Sequence, residues 1–145
     1  MTPAVEFHTG VADPLAFACR LLRKAYRRGA RVLVTAPAVQ LEALDRALWT
    51  FDERDFVPHL RLTGGAGAAL AARTPIWLTD GPPPPDGPEV LVNLGAAVAD
   101  ELAPFTRVIE IVAADADAEQ AGRARWREYR ARGLAVTHHV ASHRD

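Results

Sequence analysis

Three short apolar runs constrain this chain most: Val32-Leu33-Val34, Val90-Leu91-Val92-Asn93-Leu94 and Val108-Ile109-Glu110-Ile111-Val112. Each is too short for a buried helix and shows almost no polar alternation, so each suits a strand covered on both faces. Strands covered on both faces belong to parallel sheets, whose crossover connections place helices above and below. The intervening stretches carry helical spacing. Asp13-Pro14 offers an N-cap and a first-turn proline. Phe17, Leu21, Leu22 and Tyr26 follow, and Gly29 stops the run. Leu41, Leu44, Ala47, Leu48 and Trp49 mark a second helix, and Asp115 to Arg132, ended by Gly133, a long charged third. Further strands are expected at Val5 to His8, Pro75 to Thr79 and Leu134 to Val140, with a short helical turn at Val98 to Ala103. Asp52 to Arg61 and the proline-rich Gly81 to Pro88 read as loops, and Gly64 to Ala72 is Gly/Ala-rich and ambiguous. The expectation is a single α/β domain over residues 1–145, a largely parallel sheet flanked by helices and Rossmann-like in layout.

Composition narrows the function classes. With 145 residues and 49% hydrophobic content, the chain can bury one core. Its 18 acidic and 17 basic residues leave a formal net charge of -1, which argues against a wholly basic nucleic-acid coat. No apolar run reaches the roughly 18–20 residues of a spanning helix. Met1 to Gly10 lacks the basic start and apolar core of a signal peptide, so a cytoplasmic domain is expected. Cys19, the only cysteine, lies among Phe17, Leu21 and Leu22 and reads as a small core residue.

The signatures of catalysis are missing. Gly64 to Gly67 has no following Gly-Lys-Ser/Thr and lacks the full dinucleotide fingerprint, so no nucleotide cofactor is expected. Among His8, His59, His138, His139 and His143, the adjacent pair at 138 and 139 would point to opposite sides of a strand. No metal is expected. The acids Asp52-Glu53 and Asp115/Asp117 fall where loops and helix starts normally carry them. No nucleophile, base and orienting group can be assembled, so no catalytic residue is assigned.

Two stretches carry binding chemistry. In Arg123-Ala-Arg-Trp-Arg-Glu-Tyr-Arg130, a turn of about 100° per residue puts Arg123, Trp126, Arg127 and Arg130 within an arc of about 100°. Arg125, Glu128 and Arg132 fall on the other side. A cationic stripe with an aromatic ring embedded in it suits an anionic ligand that has an apolar part. A solvated charged helix whose Trp126 packs inward is the competing reading. The second stretch runs from Leu44-Asp45-Arg46-Ala47-Leu48-Trp49 to Phe56-Val57-Pro58-His59. Trp49 and Phe56 are costly to expose singly, so they either join the core or line a pocket.

The order of these pieces resembles the chi subunit family of bacterial DNA polymerase III. The matching features are Leu-Asp-x-Ala-Leu-Trp, Phe-Val-Pro-His seven residues after the tryptophan, and Phe-Thr-x-Val at Phe105 to Val108. The basic-aromatic run of Arg123 to Gly133 and the Arg28 to Leu33 helix exit complete the set. The resemblance covers nearly the whole chain. It implies a non-catalytic clamp-loader accessory subunit that uses no nucleotide. It implies two protein partners: the psi subunit, and the acidic C-terminal tail of single-stranded DNA-binding protein, which ends in Pro-Phe. Association with single-stranded DNA would then be indirect. By position, the family's tail-binding residues fall on Trp49, Phe56, Val112, Arg123, Trp126, Arg127 and Arg130. Two positions depart from the pattern: Trp126 replaces a familiar tyrosine, and Glu119 stands where a basic residue is expected. The remaining alternatives are a direct single-stranded nucleic-acid binder and an enzyme using the crevice at the strand ends.

Overall fold

The computed structural model describes residues 2–52, 54, 56–62, 68–84 and 86–141. Seven strands form one sheet: β1 (Ala4–Val11), β2 (Val32–Thr35), β3 (His59–Arg61), β4 (Ile76–Thr79), β5 (Val90–Asn93), β6 (Arg107–Ala113) and β7 (Val136–Val140). The helices are α1 (Pro14–Arg27), α2 (Ala38–Thr50), α3 (Ala68–Arg73) and α4 (Ala116–Ala131). The sheet order is β3-β4-β2-β5-β6-β1-β7. Every neighbouring pair runs parallel. No described helix is long and apolar enough to cross a membrane.

Strand alternation splits the apolar residues into two layers. Val32, Val34, Ile76, Leu78, Val92, Ile109 and Ile111 point toward α1 and α2, where Leu22, Leu41, Leu44 and Leu48 meet them. Leu33, Trp77, Leu91, Val108 and Val112 point the other way, toward α4, together with Val5 and Phe7 of β1. Because every second residue on a strand changes face, the apolar runs feed both layers. The helix ends follow their chemistry. Asp13 and Asp115 accept the amides of Ala16 and Ala118 at 3.0 and 2.9 Å. Gly29 and Gly133 follow α1 and α4 at φ +75° and +83°, a backbone region that disfavours a side chain.

Three segments differ from the sequence reading. His59–Arg61, expected within a loop, is the edge strand β3. It has no apolar run and Pro58 precedes it, so its pairing is set by β4. Gly64 to Ala72 resolves in part as α3, while Gly64 to Gly67 lies outside the described residues, as do Glu53 and His143. Val98 to Ala103 is not helical. Side chains claim the backbone here: just before the segment the Asn93 amide donates to the Ala96 carbonyl at 2.7 Å, and within it Arg132 donates to that of Ala99 at 2.8 Å. Pro104 also disfavours helix for the residue before it. The segment instead lays Val98, Leu102 and Phe105 over the sheet on the α4 side. Cys19 is buried as expected, and burial pushes its thiol up to about 11.

At the margin of α1, where Phe17 packs on His8 at 5.4 Å, β1 and β7 show a polar face. His8 stacks on His139 with centroids 5.0 Å apart, and Glu6 binds Arg107 at 2.7 Å. Burial lowers the His8 pKa below its ordinary 6.5, with Glu6 opposing. A histidine depressed in the folded state contributes stability above pH 6.5 that is lost as pH falls. Between pH 7.5 and 5.5 the urea midpoint of the wild-type chain should therefore fall further than that of His8→Gln. Equal falls would remove His8 from the pH response.

Candidate protein-docking site

Helix α4 faces inward with Gly122, Arg125 and Tyr129. Gly122 permits a close approach to β6: a Cβ there would lie 2.9 Å from Val112 Cγ1. Below it, the fully buried Glu110 carboxylate collects three donors. Arg125 Nε donates to Oε1 at 2.9 Å, while the Tyr129 hydroxyl and the Asn93 amide donate to Oε2 at 2.7 and 2.9 Å. Thr35 in turn donates to Asn93 Oδ1 at 3.0 Å. Burial pushes the Glu110 carboxyl above its ordinary range, opposed by the Arg125 charge and then by its hydrogen-bond donors. Burial, reinforced by Glu110, pushes the Tyr129 phenol up. With every partner a donor, the geometry fits an ionised carboxylate.

This network fixes the rotation of α4 and so aims Trp126. The indole is half-buried, edge-on to Phe7 at 5.2 Å and to His138 at 5.7 Å. It forms one wall of a cavity of about 350 Å³. Phe7, Val112 and Gly122 supply the rest of the apolar lining, and Thr9, His138, Glu119 and Arg123 the polar margin. Thr9 Oγ1 and His138 Nε2 lie 2.6 Å apart. Arg123 is exposed and sits 3.6 Å from Glu119, one turn earlier, so part of its charge is already met. Arg127 and Arg130 are exposed on the same helix. The site can take a small apolar group beside exposed guanidinium groups.

Of the seven residues assigned from sequence, Val112, Arg123 and Trp126 line this cavity. Arg127 and Arg130 stand on its helix, while Trp49 and Phe56 do not join it. Trp49 ends α2, on the other layer and toward the β3 edge, whereas Trp126 lies over β1 and β7. Trp49 and Phe56 are 59% and 56% exposed and pack on each other at 5.3 Å, forming a surface patch of their own. The buried His59 ring lies beneath Trp49 at 5.0 Å. His59 Nδ1 sits 2.8 Å from the Val57 carbonyl. Its Nε2 sits 3.0 Å from Asp45 Oδ1, but without the alignment of a hydrogen bond.

The sequence reading missed Glu110, Asn93, Arg125 and Tyr129 as a unit. The available signal was one carboxylate inside the apolar run Val108 to Val112, with an arginine and a tyrosine at i, i+4 in the next helix. Phe7, Thr9 and His138 were unreadable because β1 and β7 meet only through the sheet. The adjacent histidines do face opposite ways, His138 toward Trp126 and His139 toward His8. Among the described residues no group of three or more candidate ligands could hold a metal.

A family model, DNA polymerase III chi subunit, HolC, matches residues 1–137. The chain belongs to this family. A DNA polymerase III subunit chi of Pseudomonas aeruginosa is 36% identical over 132 residues, covering 88% of this chain and 89% of that protein. The chi subunit of Haemophilus influenzae is 31% identical, covering 80% and 79%, and that of Escherichia coli 29%, covering 80% and 78%. An accessory role in the polymerase III holoenzyme is consistent with this membership.

The Glu110 network makes a direct prediction. Glu110→Ala strands the Arg125 charge and should cost about 3–5 kcal/mol in urea unfolding. Tyr129→Phe removes one donor and should cost about 1–3 kcal/mol. If both cost less than about 0.5 kcal/mol, the range of an ordinary surface substitution, the network does not hold α4.

Proposed function

We propose that this chi-family subunit is a non-catalytic adaptor in the bacterial cytoplasm. In this reading it takes the acidic C-terminal tail of single-stranded DNA-binding protein beside Trp126 and joins the clamp loader through psi. The carrying observation is the cavity of about 350 Å³ whose wall is Trp126, Phe7 and Val112 and whose helix exposes Arg123, Arg127 and Arg130. A terminal phenyl ring fits the apolar wall, and its carboxylate and preceding aspartates fit the guanidinium groups. Glu119 repels such a tail weakly and shares Arg123 with it.

The exposed Trp49–Phe56 pair favours a second docking surface over a share in the tail site, since it lies on the opposite layer. Large exposed aromatics in contact mark a protein-binding patch, which leaves this one open to the psi or clamp-loader side. The nucleotide-enzyme alternative has less support. The crevice at the strand ends, between Leu15, Gln40, Gly95 and Ala118, has among the described residues Arg125 as its one lining cation, already bound to Glu110.

Calorimetric titration with an acidic peptide ending in Pro-Phe tests this reading. Arg123→Ala or Arg127→Ala should weaken binding by about 1–3 kcal/mol, as for hydrogen bonds to charged groups. Trp126→Ala should abolish it, Trp49→Ala should leave it unchanged, and deleting the terminal Phe should remove it. Unchanged affinity in both arginine variants would sink the site. A loss confined to Trp49→Ala would move the tail to the other layer.

A further inference from the structure

A second basic groove lies on the face of the sheet opposite α4. Helix α1 and its C-cap carry Arg20, Lys24 and Arg28 at i, i+4 and i+8, an exposed row about 12 Å long at 1.5 Å per residue. Among the described residues none of the three makes an ion pair. The neighbouring Arg23, by contrast, is held by Asp52 and lies over the Phe51 ring. Such a row alone would be an ordinary solvated helix face. Beneath it, however, a hollow of about 380 Å³ opens between α1 and the sheet. Its floor is aliphatic, with Leu21, Ala25 and Val90 partly exposed and Val92 and Ile109 buried beneath them. Across the hollow Arg107 is neutralised by Glu6, so the excess charge comes from α1.

We propose that this groove docks an acidic, extended peptide segment of a protein partner, with an aliphatic side chain on its floor. Charge complementarity selects the ligand: unpaired cations on the rim call for carboxylates or phosphates. The floor then decides between them. Single-stranded nucleic acid needs exposed aromatic faces on which bases stack. The one phenyl ring here, Phe17, is partly buried and already packs on His8 at 5.4 Å. At about 3.3 Å per residue, the 12 Å row spans about four extended residues, so carboxylates on alternate positions can meet it while leucine or valine turns inward. This groove is distinct from the α4 cavity and does not depend on the reading given to that cavity.

Lys24 is the only lysine in the chain, which gives the test a single-site readout. The probe is a fluorescein-labelled peptide of about twelve residues, three times the length of the row, rich in Asp and Glu with two leucines and an amidated C-terminus. Anisotropy should show saturable, salt-sensitive binding. The double variant Arg20→Glu with Lys24→Glu should weaken it about tenfold or more, Arg123→Ala should leave it unchanged, and replacing the leucines by serine should weaken it. Carbodiimide should couple the peptide's carboxylates to Lys24 in the wild-type chain, a readout that stands even if the double variant does not fold. No binding, equal affinity in the folded double variant, or loss with Arg123→Ala instead would overturn the proposal. So would oligothymidylate that binds through Arg20 and Lys24 where the peptide does not.

Discussion

A carboxylate with no solvent exposure must be met on all sides, and Glu110 is met by three residues from two separate elements. Asn93 comes from β5, while Arg125 and Tyr129 come from α4. Burying a lone carboxylate in the sheet would cost several kcal/mol, so α4 can dock in one rotation only, the one that brings Arg125 and Tyr129 over β6. Trp126 follows Arg125 directly in sequence and is thereby turned toward Phe7 and His138 at the β1–β7 side. The exposed arginines follow on the remaining arc. The buried polar network and the exposed cationic face are thus two sides of one constraint. The helix has little apolar surface with which to choose its own register.

Much of the fold was legible because its signals are local. Doubly apolar runs gave β2, β5 and β6 directly, and Asp13, Asp115, Gly29 and Gly133 bounded α1 and α4 by capping chemistry that acts within a single turn. What failed was non-local. The segment after β5 is kept out of a helix by Asn93 and Arg132, one of which lies far along the chain. The edge strand β3 exists because β4 offers it a partner. Propensity at His59-Leu60-Arg61 contains no trace of that.

The candidate site divides the same way. Arg123, Trp126, Arg127 and Arg130 share an arc by helix geometry, and the structure keeps them on one helix. Trp49 and Phe56 were legible as a pair, and they do touch. Their distance from Trp126 was not legible, because sequence order does not reveal which face of a parallel sheet a helix covers. In this chain α2 covers one face and α4 the other. The seven positions grouped by the family resemblance are therefore split in space, with the Trp49–Phe56 pair apart from the cavity that Val112, Arg123 and Trp126 line.

Charge placement follows from that plate. The near-zero net charge conceals a strong local segregation. Helix α1 has no acidic residue and carries Arg20, Arg23, Lys24 and Arg27, with Arg28 as its C-cap, while α4 carries its cations on the opposite face. Much of the compensating acid lies in the connections around β5, at Asp80, Asp86, Glu89, Asp100 and Glu101. A uniformly basic protein of this size would be drawn to bare nucleic acid by counterion release at every surface. With its charges segregated, the chain exerts little long-range pull, and the potential is concentrated within a Debye length of about 8–10 Å above each helix. An acidic peptide that reaches either helix meets arginine at close range, and the polyanion as a whole does not. The tail-binding adaptor proposed above would need that distinction, since it would have to find protein tails on coated single-stranded DNA without coating the DNA itself. Here it follows from where the helices sit on the sheet.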